Sequence, residues 1–223
     1  MSAIFQDRTD AGRQLASALA AQYPSAANLF VFGLPRGGVP VAYEVACALG
    51  APLDVLVVRK LGLPGQPELA MGAIAANDIV ILNDDIVHGM RIDQTAIEAA
   101  IANEKRELTR RESRYRHGLP GIKLTKHSIA IVVDDGLATG ATMKAAIAWL
   151  KKASAGRIIV AVPVAASGTL DALRSEVDDV ACLATPAPFL AVGAWYSVFP
   201  QTSDEEVLEL LDLARKPQRR QNN

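Results

Sequence analysis

IVVDDGLATGATM, residues 131–143, runs from an unbroken apolar stretch into two aspartates, Asp134 and Asp135, and then into small residues and the tetrad Thr139-Gly140-Ala141-Thr142. The apolar part reads as a strand buried on both faces. Met143, Ile147 and Leu150 follow at helical spacing, so a helix comes next. The turn between them points backbone amides at a helix N-terminus, where aligned peptide dipoles place about half a positive charge. Gly140 permits close backbone approach, and Thr139 and Thr142 add hydroxyls. Such a turn is a cradle for phosphate. It is not a P-loop, since no Lys-Ser/Thr pair follows a glycine-rich run, and no G-x-G-x-x-G is present.

Two carboxylates beside a phosphate cradle would repel a bare phosphate. They suit a ligand that carries hydroxyls or a metal next to its phosphate, because ionised carboxylates only accept hydrogen bonds. A ribose phosphate meets that requirement, with its phosphate on the amides and its vicinal diol on the acids. An acidic pair at a strand end also serves as a helix cap or as a phosphatase metal site, and the residues alone leave those readings open.

The rest of the chain is an ordinary globular sequence. It has 223 residues, half of them hydrophobic, and a net charge of −1, so no global field favours nucleic acid or an anionic membrane. Cys47 and Cys182 lie far apart in apolar stretches and read as buried free thiols, which implies a reducing compartment. MSAIFQDRTD does not read as a secretory leader and no apolar run has membrane-spanning length, so a cytoplasmic location is expected. His88, His117 and His127 stand in isolation and receive no role.

Strands alternate with helices along the chain. Asp10 is read as the cap of a first helix, 29–32 as a buried strand, and Pro40 as the start of a helix closed by Gly50. A second strand is expected at 53–58, ending in Arg59-Lys60, followed by a flexible Gly/Pro loop over 61–70 and a hairpin turned at Asn77-Asp78. Residues 92–115 read as a long helix with a narrow seam, Ile97, Ile101, Leu108 and Tyr115, that suits either packing on one stripe or a dimer arm. Further strands are expected at 128–133, 157–164 and 180–183. Residues 185–201 read as irregular, and Ser203 as the cap of a closing helix with Glu206 at capping-box spacing. The fold class is therefore α/β, with a mostly parallel central sheet flanked by helices on both faces. In such sheets ligands bind beyond the C-terminal strand ends, where Arg36, Arg59 and Asp134-Asp135 are expected to gather.

Asp134-Asp135 followed by Thr139-Gly140-Ala141-Thr142 resembles the phosphoribosyl pyrophosphate (PRPP) signature of the type I phosphoribosyltransferases. Other pieces resemble that family in its order. Leu34-Pro35-Arg36-Gly37-Gly38 is similar to its pyrophosphate loop, Arg59-Lys60 with the loop after it to its mobile catalytic loop, and Phe189-Leu190-Ala191-Val192-Gly193 to its hood segment. The resemblance extends over roughly 29–200 and implies a type I phosphoribosyltransferase fold. One domain would span 1–214, with a helical insertion at about 84–120 and a hood at about 164–202 joined by the N-terminal segment; a basic mobile tail would cover 215–223.

The resemblance also implies roles. Asp134 and Asp135 would hold the ribose hydroxyls, directly or through Mg2+. Ala138, Thr139, Gly140, Ala141 and Thr142 would hold the 5′-phosphate, and Arg36, Gly37 and Gly38 the pyrophosphate. Arg59 or Lys60 would neutralise the leaving group, Glu68 stands nearest to the position of a loop base, and Phe189 would stack on the acceptor base. The implied reaction transfers the phosphoribosyl group of PRPP to a nitrogenous base, with adenine the first candidate because Ala138 stands where 6-oxopurine members carry an acid. A homodimer with no nucleic-acid partner is expected. The competing readings are a regulator that binds PRPP without turnover, and a sugar-phosphate hydrolase on the same scaffold.

Overall fold

The computed structural model describes residues 3–23, 27–63, 66–76 and 79–216, with backbone alone over 66–69. Its centre is a parallel sheet of five strands in the order β2-β1-β6-β7-β8. These are Leu29–Gly33 (β1), Leu53–Val55 (β2), Ile129–Val133 (β6), Arg157–Val164 (β7) and Asp179–Ala184 (β8). Along β6 the side chains alternate between two cores: Ile131 and Val133 enter one, Ala130 and Val132 the other. Burial on both faces is why the strand reads as an unbroken apolar run.

One face is covered by Arg8–Gln22 (α1), Gly38–Leu49 (α2) and Asp204–Arg215 (α7), whose Leu15, Val41 and Val207 share a core. The other is covered by Ala141–Lys152 (α5) and Ser167–Arg174 (α6), through Ile147 and Leu173. Strands β1 and β6 are neighbours, yet the helices that follow them lie on opposite faces. The crevice where chain direction splits in this way is the usual ligand position in an open α/β sheet. No helix among the described residues is long and apolar enough to cross a membrane.

A second sheet departs from the sequence reading. Val58–Leu63 (β3), Gln66–Ala75 (β4) and Ile79–Leu82 (β5) form an antiparallel sheet in the order β3-β4-β5. The expected strand over 53–58 is broken at Leu56-Val57, and Arg59-Lys60 lies inside β3 rather than at the end of a central strand. The expected flexible loop is a β-hairpin, with register shifts at Leu61/Gly62 and Gly62/Leu63. Burial of Leu61, Leu63 and Met71 supplies the reason, at about 1.5–3 kcal/mol for each large apolar side chain. The Asn77-Asp78 turn lies outside the described residues, although the flanking strands pair from Ala75 to Ile79.

Two helices intervene before β6: Asp84–Gly89 (α3), which the sequence reading missed, and Gln94–Arg116 (α4). The α4 seam is buried at Ile97, Leu108 and Tyr115, and it packs on β3, β4 and α7. It is thus covered within the chain, as a surface helix packed on one stripe. Arg116 closes its far end, reaching Asp54 at 3.4 Å, the Val55 carbonyl at 3.2 Å and Glu112 at 3.2 Å.

Smaller corrections follow from local geometry. Asp7, not Asp10, caps α1, because its side chain accepts the Asp10 amide. Cys47 and Cys182 are half-buried rather than buried. Helix α7 runs through Arg215, past the expected start of the basic tail, and 217–223 lies outside the described residues. Ser203 accepts the Glu206 amide, as its cap spacing predicts.

The C-terminal end of α1 is tied to the start of β8 by the Tyr23 hydroxyl, which donates to the Asp179 carboxylate, with Arg157 over the Tyr23 ring at 5.4 Å. This hydrogen bond is the main reason that Asp179 is held below its ordinary range. A depressed carboxylate contributes stability above its unfolded pKa and loses it as pH falls through its folded pKa. Tyr23→Phe is therefore expected to cost about 1 kcal/mol at pH 7 by urea denaturation. The gap from the unmodified chain should close below the ordinary carboxylate range, where Asp179 is protonated folded or unfolded.

Candidate functional site

Gly33 and Val133 are register partners on adjacent parallel strands, so the loops that follow them start side by side. The Leu34 amide donates to the Val133 carbonyl at 2.9 Å, and the first loop then turns into α2 directly against the two aspartates. The contact is close enough to require glycine. A β-carbon on Gly37 would stand 2.0 Å from Asp135 Oδ2, and one on Gly38 would stand 2.8 Å from Asp134 Cα. The pyrophosphate-loop candidate and the acidic pair thus form one surface.

Beyond Asp135 the chain turns through 136–140 into α5. Gly140 sits at the N-terminus of this helix with φ +77, a conformation that glycine adopts without steric cost. No side chain caps α5, so its first amides stay directed at the turn. A cavity of 180 Å³ lies there, walled by Asp134, the 136–143 segment and Val192. The five residues expected at the 5′-phosphate, Ala138 to Thr142, all face it. A larger cavity of 530 Å³ lies beyond Thr139 and Ala141, against β4, β5 and the start of α3. Only those two of the expected site residues border it, so the smaller cavity is the one that matches the chemistry.

The two acids have different surroundings. Asp134 lines the cavity, and its Oδ1 accepts the Asp135 amide at 2.9 Å. Asp135 turns towards α1, where Arg8 Nε donates to Oδ2 at 2.8 Å and the Tyr196 hydroxyl donates to the Asp135 carbonyl. Arg8 also donates to the Pro200 carbonyl at 2.7 Å, and its guanidinium lies 3.7 Å from the centre of the Phe199 ring. Burial pushes Asp134 well above the usual carboxylate range, and the neighbouring Asp135 charge adds to the effect. Burial also raises Asp135, against the opposing pull of Arg8. Two adjacent recessed acids resist carrying two negative charges, and Arg8 compensates one of them.

Arg36 lies in the loop before α2. Its side chain is 28% exposed and donates no hydrogen bond among the described residues; Asp204 Oδ1 is 3.9 Å away. A partly buried guanidinium with five unspent donors is suited to receive an anion. Arg59 is elsewhere, with its Nε on Glu104 of α4 at 2.7 Å, and neither Arg59 nor Lys60 lines the small cavity. Arg59, expected at the end of a central strand, lies instead within β3, paired with Ile74 of β4, so only Arg36 and the acids stand at ends of the parallel sheet. Glu68 lies in β4, and its side chain is outside the described residues.

Phe189 is half-buried against Trp195, with ring centres 6.3 Å apart, in a small core that includes Phe5 and Tyr196. Val192, not Phe189, reaches the small cavity from this region. The N-terminal segment is tied to the same region, since the Ser197 amide donates to the Phe5 carbonyl at 2.9 Å and the Val198 amide to the Gln6 carbonyl at 2.9 Å. The contacts of Arg8 and Tyr196 with Asp135 are what sequence reasoning missed, since neither belongs to a motif and only the fold brings them to the acids. Val192 belongs to the hood segment 189–193, where Phe189 and not Val192 was expected at the site.

A family model for the phosphoribosyl transferase domain matches residues 3–189. Two Mycobacterium tuberculosis proteins, provisionally named phosphoribosyl transferases, are each 51% identical over 213 residues, which is 96% of this chain. The chain spans about half the length of these curated relatives, 47% of each. A crystal structure of a Thermus thermophilus protein is 40% identical and superposes with a TM-score of 0.78, covering 93% of this chain and 97% of the other.

The Arg8–Asp135 pair is nearly dry, with side-chain exposures of 11% and 16%. Removing one partner of a buried pair strands the other charge. Arg8→Met is expected to destabilise the protein by about 3 kcal/mol in denaturant titration at pH 7. The double variant Arg8→Met/Asp135→Asn should recover part of that loss, and strict additivity would show that the two groups do not interact.

Proposed function

The chain belongs to the phosphoribosyl transferase family, and on that premise we propose that it transfers the 5-phosphoribosyl group of PRPP to a nitrogenous base and releases pyrophosphate. The observation that carries this reading is the small cavity, in which a recessed carboxylate and a helix N-terminus with open amides face the same space. A sugar phosphate is the ligand whose two ends need those two groups. Residues 138–142 hold the 5′-phosphate through backbone amides and the hydroxyls of Thr139 and Thr142. Asp134 accepts from the ribose diol. Arg36, with the start of α2 at Gly37 and Gly38, takes the pyrophosphate.

The acids are not equivalent in this scheme. Asp134 is the acid on the cavity wall, while Asp135 is held by Arg8 and fixes the turn on which Asp134 stands. As the bond from the anomeric carbon to pyrophosphate breaks, positive charge grows on the ribose ring. That growing charge opposes the burial that raises Asp134, and the ionised Asp134 carboxylate stabilises the charge. The attacking base nitrogen supplies the new bond and pyrophosphate takes the electron pair of the old one.

Mg2+ fits the residues present. Among the described residues no three His, Cys, Asp or Glu side chains gather as a cation site. Magnesium bound to substrate phosphates needs only one or two protein carboxylates and keeps several waters; Asp134 and Asp135 would be the residues to hold it, directly or through water. There the ion would neutralise charge on the leaving pyrophosphate. The adenine lead rests on Ala138, and Phe189 is a base-stacking residue only if its ring leaves Trp195.

A magnesium–PRPP assay against a panel of bases, read by pyrophosphate release, tests the proposal. Release should require a base. Release without any base would identify a hydrolase, and binding without release a regulator. Asp134→Asn should lower turnover roughly hundredfold, the usual cost of losing one pre-placed electrostatic group. Arg36→Ala should weaken PRPP at least tenfold and leave ribose 5-phosphate binding unchanged; equal losses for both ligands would remove Arg36 from the pyrophosphate site.

A further inference from the structure

Helix α4 has no counterpart in the sequence signature of the site, yet its last turns are linked, through Asp204, to Arg36, the arginine proposed for the pyrophosphate. Asp204, the first residue of α7, is where they meet. Its Oδ2 accepts from Arg114 Nη1 at 2.7 Å, and its Oδ1 accepts from the Tyr115 hydroxyl at 2.5 Å. Arg114 also donates to Glu205 at 2.6 Å. That leaves Oδ1 turned to Arg36 at 3.9 Å, too long for a hydrogen bond and close enough for an ion pair.

The arrangement sets the direction of Arg36 without spending its donors. A hydrogen-bonded partner would have to be displaced before an anion could bind. A carboxylate at this longer distance holds the guanidinium by charge alone. It can serve only if it is itself immobile, and Asp204 is fixed on both oxygens by α4 and at its backbone by the start of α7. Tyr115 is fully buried, and burial together with its hydrogen bond to Asp204 pushes its hydroxyl up to about 12, so it remains a donor throughout the physiological range.

We propose that Asp204 is a positioning residue for Arg36, and that α4 belongs to the pyrophosphate site because its Arg114 and Tyr115 pin that carboxylate. The inference rests on the reading of Arg36 as a pyrophosphate ligand. It extends the site to an insertion that the acid-pair and phosphate-loop motifs do not include, and it gives Tyr115 a task beyond filling the seam of α4.

The sign of one substitution decides the matter. A carboxylate near an anion site that played no positioning part would simply repel the anion, and its neutralisation would tighten binding. Asp204→Asn should instead weaken magnesium–PRPP about tenfold by calorimetry, while ribose 5-phosphate, which lacks the pyrophosphate, binds within twofold of the unmodified protein. Tyr115→Phe should move both ligands in the same pattern to a smaller extent, and Arg114→Lys should retain more PRPP affinity than Arg114→Met. Unchanged or tighter PRPP binding in Asp204→Asn overturns the proposal, as does an equal loss for both ligands, which would mark a structural role. Failure of the underlying reading looks different: the unmodified protein would then not discriminate PRPP from ribose 5-phosphate, or Arg36→Ala would not abolish that discrimination.

Discussion

The site depends on one close approach. The first turn of α2 lies so near the acids at the end of β6 that a single β-carbon at Gly37 or Gly38 would enter the space of Asp135 Oδ2 or the Asp134 backbone. Parallel pairing of β1 with β6 brings the two loops level, and the paired glycines let them touch. Everything else in the site is placed by that contact. Arg36 stands in the loop that makes it, Asp134 stands on the turn that receives it, and α5 begins at Ala141, seven residues after Asp134.

The two acids have different surroundings: Asp134 lines the cavity, while Asp135 is paired with Arg8. An acidic pair at a strand end carries a large desolvation cost. Arg8 offsets part of it by closing on Asp135, and in doing so joins α1, the Phe199-Pro200 segment and the acid turn into one unit. The N-terminal segment is thereby part of the site architecture although it contributes no residue to the cavity wall. The hood side presents Val192 to the cavity and keeps its aromatic rings packed on one another.

Much of this was legible in the sequence, for physical reasons. The β6 run, the Thr-Gly-Ala-Thr turn and the α5 periodicity are local signals, and local signals fix the strand, the turn and the helix after it. The stretches 29–33 and 157–164 announce themselves as strands because both faces of the central sheet are buried. The β3–β4 hairpin was not legible. Its glycines and prolines look like loop punctuation, and only the burial of Leu61, Leu63 and Met71 in the fold shows a strand pair. Helix α3 is too short and too exposed to leave a periodic trace. Arg8 and Tyr196 were unreadable for another reason: their partner, Asp135, lies 127 and 61 residues away, and no spacing rule connects them. The pairing of Arg59 with Glu104 belongs to the same class of long-range contact.

The central claim is that one cavity takes both ends of a sugar phosphate, with the phosphate on the amides at the head of α5 and the diol on Asp134. A crystal structure with ribose 5-phosphate tests it most directly. The account predicts phosphate oxygens within hydrogen-bond distance of the amides of 138–142, ribose hydroxyls on Asp134, and Asp135 still paired with Arg8. Phosphate density in the larger cavity beside β4 and β5, or a sugar that leaves Asp134 untouched, would contradict it.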